Sequence, residues 1–205
     1  MVPIDMENAS FVGEAFTLRA IPARKNAFDA VNVHHEAMNL VQPGQALITD
    51  TGEATSVSFF GELISTYLQR KGVEAVVTDA GICDIFDVAA TGLTVFASRG
   101  SVASDGSMIV CEHSCPINFC GVAVYPGDVL VGDINGVVVV PRAMAPEVAK
   151  KAVRSHCTSA FPPLGHSPAS CVRMPTCVCS CVSRVAGLIA AREGGYGALS
   201  CKEAR

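Results

Sequence analysis

Tryptophan is absent from this 205-residue chain, aromatic residues make up only 6% of it, and charged residues only 17%. Lysine and arginine never run beyond two in succession. That excludes the basic stripe that tracks nucleic-acid phosphates and the polybasic patch that seeks anionic membranes. The formal net charge of −4 points the same way. No apolar run approaches the roughly 18 residues of a membrane span. The opening Met1-Val2-Pro3-Ile4-Asp5 lacks the basic and apolar regions of a secretory leader. The expectation is a soluble, cytoplasmic protein with no direct nucleic-acid or membrane partner. Cysteine is missing up to position 82 and then appears ten times, four between Cys83 and Cys120 and the rest from Cys157 onward. A cytosolic pool keeps such thiols reduced, so a disulfide framework is not expected.

What is present is hydrophobic, at 50% of residues, over a length that suits one domain with a real core and an appendage. A strand is expected over 11–18 and a helix over 27–40, where Phe28, Val31, His35 and Met38 recur at helical spacing. Pro43-Gly44 turns into a strand over 46–50. A helix follows over about 58–70, with Phe60, Leu63, Ile64, Tyr67 and Leu68 on one face and Gly72 as its C-terminal cap. Strands over 76–79 and 93–97 come next. The strands over 46–50 and 76–79 should lie parallel, joined by a right-handed crossover. Short strands then lead through Asn135-Gly136 to a strand over 137–140 and a closing helix over about 146–153. One internal echo relates Val41-Gln-Pro43-Gly44 and Val124-Tyr-Pro126-Gly127, each leading into a buried strand that ends in aspartate. The α/β domain is therefore assigned to 1–153. Residues 154–205, rich in Ser, Pro and Cys, are expected to be a poorly ordered appendage with a short helix near 185–192.

In parallel α/β units, ligands collect beyond the carboxyl ends of the strands. Here that rule gathers Asp50, the start of the helix near Ser58, and the loop Asp79-Ala80-Gly81-Ile82-Cys83-Asp84. The unpaired backbone N–H groups around Gly61, Glu62 and Leu63 attract carboxylate or phosphate, and Gly61 lets a ligand approach the backbone. Asp84 and Asp87 stand three residues apart at the start of a short helix, hence on one face. Paired hard oxygens suit Mg²⁺ or Mn²⁺, which take one or two carboxylates and keep several waters. Gly61 to Asp87 is thus the expected site.

Gly61-Glu62-Leu63 followed, twenty residues after the glutamate, by Cys83-Asp84-x-x-Asp87 resembles the signature of the RraA-like proteins. That family includes the class II 4-hydroxy-4-methyl-2-oxoglutarate aldolases and the regulators of ribonuclease E activity. Gly13-Glu-Ala15-Phe-Thr17, Pro126-Gly127-Asp128 and Val137 through Pro141 support the resemblance, which spans 11–153. It implies an αββα sandwich that assembles as a homotrimer with sites between subunits. It also implies that Asp84 holds the divalent metal, that Asp87 supports metal-bound water, and that the Glu62 and Leu63 amides bind the carboxylate of a small 2-keto acid. The implied reaction is retro-aldol cleavage to pyruvate, with oxaloacetate decarboxylation beside it. Both run through the enolate of pyruvate, which a divalent metal stabilises. An alternative within the family is a non-catalytic regulator that binds a ribonuclease or another protein.

The chain departs from that pattern in four places. Cys83 stands where the aldolases carry an arginine that contacts the substrate's keto and carboxylate oxygens, and a thiol supplies neither fixed charge nor paired donors. Ala80 replaces a glycine, the usual opening helix is absent before Val2, and the acidic residue that a neighbouring subunit supplies has no clear match, Glu193 and Glu203 being the candidates. Arg99 is a possible substitute for the missing arginine. Elsewhere, Cys111, His113 and Cys115 alternate along a strand and could share one face, and Cys177, Cys179 and Cys181 form a second soft-metal candidate. His34-His35 is expected on the polar face of a helix.

Overall fold

The computed structural model describes residues 1–24, 30–103 and 108–158. They fall into two units, Met1–Pro141 and the described residues from Arg142 onward. In chain order the first holds β1 (Val2–Pro3), β2 (Phe11–Pro22), α1 (Ala30–Leu40), β3 (Gln45–Asp50), β4 (Ser58–Phe60), α2 (Glu62–Lys71), β5 (Ala75–Thr78), β6 (Gly81–Ile82), α3 (Ile85–Ala90), β7 (Thr94–Ala97) and β8 (Arg99–Gly100). There follow β9 (Met108–His113), β10 (Ile117–Phe119), β11 (Val122–Val124), β12 (Val129–Asp133) and β13 (Gly136–Val140). The second unit contributes a 3₁₀ turn, Arg142–Met144, and α4 (Ala145–Thr158), the expected closing helix with one more residue at its start and five more at its end. Residues 159–205, which carry the Cys177, Cys179 and Cys181 cluster, the expected helix near 185–192, Glu193 and Glu203, lie outside the described residues.

The main sheet runs β1-β7-β5-β3-β2-β12-β13, with β9 also paired to β2. Its centre, β7-β5-β3-β2, is parallel. The expected strand–helix–strand unit is present, with Leu47 opposite Val76. Because both faces are covered, the strands read as continuous apolar runs whose side chains alternate between two cores. Leu47, Val76 and Val95 point to a core shared with Ala37, Met38, Leu68 and Val88 from the three helices. Ala46, Ile48, Ala75, Val77 and Phe96 point to a second core closed by Ile117, Phe119 and Val124 of the β10–β11 hairpin.

The sheet curls strongly. Phe11 on β2 and Phe96 on β7 are separated in the sheet by β3 and β5, so a flat sheet with strands about 4.8 Å apart would hold them roughly 14 Å apart. Their ring centroids are 5.6 Å apart. The twelve-residue β2 makes this possible by serving two antiparallel neighbours on one edge, β12 along its first residues and β9 along its last. The result is an α/β fold with a nearly closed sheet. The two Pro-Gly turns of the sequence echo bring β3 and β12 to either side of this strand. Gly44 and Gly127 both take positive φ, 80° and 89°, and the Gly127 N–H donates to the Ala15 carbonyl at 2.9 Å.

One helix expectation needs correction. The backbone over Ser58–Phe60 is a strand, and α2 starts only at Glu62. Parallel pairing with β6 holds those residues extended. The buried face of α2 is Ser65 and Leu68, whereas Leu63 is 82% exposed and Tyr67 is also exposed. Gly72 caps the helix as expected, at φ 81°, with the Val73 N–H reaching back to the Leu68 carbonyl.

Candidate functional site

Beyond the carboxyl ends of β3, β5 and β7 the chain forms a second, small parallel sheet, β4-β6-β8. Its links are the Gly81 N–H to the Val57 carbonyl at 2.9 Å, the Cys83 N–H to the Phe60 carbonyl at 3.0 Å, and the Ser101 N–H to the Ile82 carbonyl at 2.8 Å. Sequence reasoning missed it because two- and three-residue strands carry no period. The available signal was Gly81, where a Cβ would fall 2.7 Å from the Ser101 Cβ and 3.0 Å from the Val57 carbonyl oxygen.

Asp79, 2% exposed, pins this layer to the main sheet. One carboxylate oxygen accepts the Thr51 N–H at 2.8 Å and the Thr51 hydroxyl at 2.7 Å, and the other accepts the Glu53 N–H at 2.7 Å. Asp50 accepts the Gly52 N–H at 2.9 Å and the Asn118 N–H at 3.2 Å. Both aspartates that close the main strands therefore hold loops in place. The strand ends themselves are thus occupied by loop contacts, and the exposed residues of the expected 61–87 stretch lie on the next layer out.

Those residues converge at the facing starts of α2 and α3. Gly61 is the extended N-cap of α2, and Asp84 is the N-cap of α3 in left-handed conformation, φ 53° and ψ 41°. An aspartate tolerates that region at a cost of order 1 kcal/mol, and such conformations gather at functional sites. The Glu62 N–H donates to Asp84 Oδ2 at 3.3 Å, and Cys83 Sγ lies 3.3 Å from the same oxygen. The expected anion position at the helix start is thus taken up by the side chain of Asp84 itself. The Cys83 thiol also reaches the Phe60 carbonyl at 3.6 Å. A Cβ on residue 61 would stand 2.7 Å from Cys83 Sγ and 2.8 Å from Asp84 Oδ2, so glycine is what lets those two atoms pack this closely on the start of α2. Asp87 lies in the first turn of α3, exposed like Asp84. Gly61→Ala meets only the mobile ends of two side chains. It is expected to lower stability by no more than about 1 kcal/mol while displacing both atoms. Thermal melts, paired with the alkylation rate of Cys83 followed by peptide mass mapping, check this.

Arg99 lies on β8 beside Gly81, and its Nε donates to the Thr55 carbonyl at 2.9 Å. Its head is tied to the 51–57 loop, so the structure does not join it to Cys83 and Asp84. The alternating Cys111, His113 and Cys115 do not form one cluster either. His113 stacks on Phe16 of the helix-side core at 6.0 Å, whereas Cys115 is buried in the hairpin-side core. A register shift between Arg19 and Ala20 and a left-handed Ser114 break the alternation. Among the described residues no group of three or more His, Cys, Asp or Glu is placed to hold a metal ion. Burial raises the thiol pKa of Cys115, and burial followed by the nearby Asp79 and Glu53 charges raises that of Cys120, which leaves both as poor nucleophiles.

His34 also corrects an expectation. Its ring stacks on Phe59 at 5.4 Å and meets Phe60 edge-on at 6.0 Å, and its Nε2 is buried without a partner among the described residues. The helix turns this histidine toward β4, away from water. Burial first, and then the neighbouring His35, lower its pKa. The folded state therefore resists a proton that the unfolded chain accepts near pH 6.5. The His34 contribution is intact above that pH and is lost as pH falls through it toward the lowered folded value. Urea melts from pH 7.5 to 5 should show this acid loss, and His34→Phe should flatten it.

A family model described as "RraA-like: Aldolase/RraA" matches residues 1–139. An uncharacterized protein of Methanocaldococcus jannaschii is 38% identical over 93 residues, 45% of each chain, so the chain spans under half of that relative's length. A Halalkalibacterium halodurans protein provisionally named 4-hydroxy-4-methyl-2-oxoglutarate aldolase is 27% identical over 71% of this chain and 67% of its own. Among solved structures, RraAS2 of Streptomyces coelicolor, described as an unusual member of the RNase ES inhibitor RraA protein family, superposes with a TM-score of 0.66. It is 27% identical, covering 72% of this chain and 73% of its own. No helix among the described residues is long and apolar enough to cross a membrane. The matched span, 1–139, contains the curled sheet, the small outer sheet and the paired helix starts, and the chain belongs to the RraA-like family.

Proposed function

We propose that the 61–87 site binds a divalent cation, Mg²⁺ or Mn²⁺, and cleaves a short 2-keto acid bearing a second carboxylate. Candidate reactions are retro-aldol cleavage of 4-hydroxy-4-methyl-2-oxoglutarate and decarboxylation of oxaloacetate, each releasing pyruvate. The observation that carries this reading is Asp84, an exposed carboxylate held in a costly left-handed conformation at the mouth of a helix start. The donor set fits a hard cation that keeps most of its waters, since one or two exposed carboxylates are what such an ion takes from a protein. Asp84 would hold the cation and Asp87 would order its water. When bound, the cation supplies positive charge to the substrate oxygen that gains electron density. The Leu63 amide and its neighbours at the start of α2 orient the substrate carboxylate, aided by the helix dipole. The Glu62 N–H joins them only when a ligand displaces Asp84 Oδ2, whose 3.3 Å contact is at the long end of hydrogen bonding.

The test is pyruvate release from oxaloacetate or 4-hydroxy-4-methyl-2-oxoglutarate with Mg²⁺ or Mn²⁺, measured against metal alone. Turnover above that background supports the reading. Its absence from both the natural chain and Cys83→Arg would sink it. A second reading, a non-catalytic regulator that binds a ribonuclease or another protein, is favoured by Cys83 in place of the arginine. The exposed Leu63 and Phe86 beside the site also favour it, at 82% and 90%.

A further inference from the structure

We propose that His34 is a positioning residue for the 61–87 site: its neutral ring backs the strand that leads into Gly61, and a proton on that ring loosens the strand and weakens the site in acid. The cation it affects comes from the reading above, whereas the coupling of His34 to the strand rests on contacts of its own. The ring stacks on Phe59 at 5.4 Å and meets Phe60 edge-on at 6.0 Å. The two phenylalanines meet edge-on at 5.2 Å, so the three rings form one packed corner. Phe60 is 3% exposed and pairs with Ile82. Its carbonyl accepts the Cys83 N–H at 3.0 Å and lies 3.6 Å from the Cys83 thiol. The residue after it is Gly61, the N-cap of α2. Phe60 therefore ties the ring corner to both halves of the site, to Gly61 and Glu62 through the chain and to Cys83 and Asp84 through a hydrogen bond.

A protonated imidazole carries an N–H on both nitrogens. Nε2 is buried without a partner among the described residues, so its N–H would stand unpaired, and its charge would sit among phenyl rings. The face of Phe59 offers some cation–π attraction but accepts no hydrogen bond of full strength. Among the described residues, no neighbouring charge offsets the cost. On α1 itself His35 and Glu36 are exposed, and His35, after burial, also lowers the His34 pKa. On β9, Glu112 is paired with Arg19 at 3.2 Å and His113 stacks on Phe16. On α2, Lys71 donates to the Met38 and Asn39 carbonyls and the Tyr67 hydroxyl to Asn39. β4 carries no titratable group. The proton is accommodated when the ring swings clear of Phe59 and Phe60. Above pH 6.5 the packed form is undisturbed, and below it the opened form gains until the lowered packed value is reached. For one proton the gain between pH 7.5 and 5 is at most about thirtyfold.

The experiment is amide hydrogen exchange on the full chain at pH 7.5 and 5, followed by mass spectrometry and corrected for the intrinsic pH dependence of exchange. Mn²⁺ binding is followed beside it by paramagnetic resonance. The expected result is a several-fold loss of protection over 58–65 and 81–84, within the limit of about thirtyfold, while 46–49 and 75–78 stay protected. Mn²⁺ affinity should fall over the same range. His34→Phe keeps a ring that takes no proton and should flatten both changes. His34→Gln, which loses the stack, should lower protection at both pH values alike, and His35→Gln should leave the acid loss in place. An acid loss over 58–65 as steep in His34→Phe as in the natural chain overturns the proposal, as does one shared equally by 46–49 and 75–78. If Mn²⁺ binds at neither pH, the metal reading fails and the exchange data still decide the role of His34.

Discussion

Asp84→Asn should abolish metal-dependent pyruvate release, and Cys83→Arg should raise it about 10²–10³-fold, the usual worth of one preorganised donor to a developing oxyanion. The two changes separate binding from turnover. Asparagine tolerates the left-handed backbone of residue 84 and keeps an oxygen for the Glu62 N–H, so loss of activity cannot be blamed on an unfolded loop. It lacks the charge that holds a cation, which is the property at issue. Arginine at position 83 supplies a fixed positive charge and paired donors where the thiol supplies neither. Steady-state kinetics with metal titration, beside thermal melts of each variant, give the readout. The expected pattern for Cys83→Arg is a gain in kcat with a smaller change in metal affinity for Mg²⁺.

The largest stability effect should come from Asp79→Ala. This carboxylate is buried and accepts three hydrogen bonds, two from Thr51 and one from the Glu53 amide. Truncation removes the acceptor and strands three donors, two of them on the buried Thr51. The expected cost is about 3–5 kcal/mol, equivalent to a drop in melting temperature of roughly 10 °C for a chain of this size. Asp79→Asn should recover part of it, because one acceptor oxygen survives while the amide faces a donor. Urea denaturation with an unchanged m value would assign the loss to the native state. A loss below about 1 kcal/mol for the alanine variant would mean that the 51–54 loop repairs itself with water.

The parallel strands and their order of alternation were legible because buried strands are apolar on both faces and need only be bounded by turns. Gln45–Asp50 and Ala75–Thr78 follow from that pattern, as does Gly72 at the end of α2. The Asp84 and Asp87 positions followed from the rule about strand ends. What sequence could not show was the strand Ser58–Phe60, because Phe59 and Phe60 look equally apt for a helix and only pairing with Gly81 and Ile82 decides. The burial of His34 escaped for a related reason. A helix has a polar face only relative to what packs on it, and Phe59 and Phe60 are brought there by tertiary contact. Cys111, His113 and Cys115 show the limit of alternation, which holds only while a strand stays regular.

The long β2 strand carries a cost in time as well as geometry. Its first residues pair with Val129–Gly132, well over a hundred positions further along. On a ribosome adding about 5–20 residues per second, that edge waits on the order of ten seconds for its partner. Through that interval its unpaired amides and carbonyls are open to any passing strand. Synthesis rate and chaperone supply therefore bear on the yield of this protein as well as its final stability.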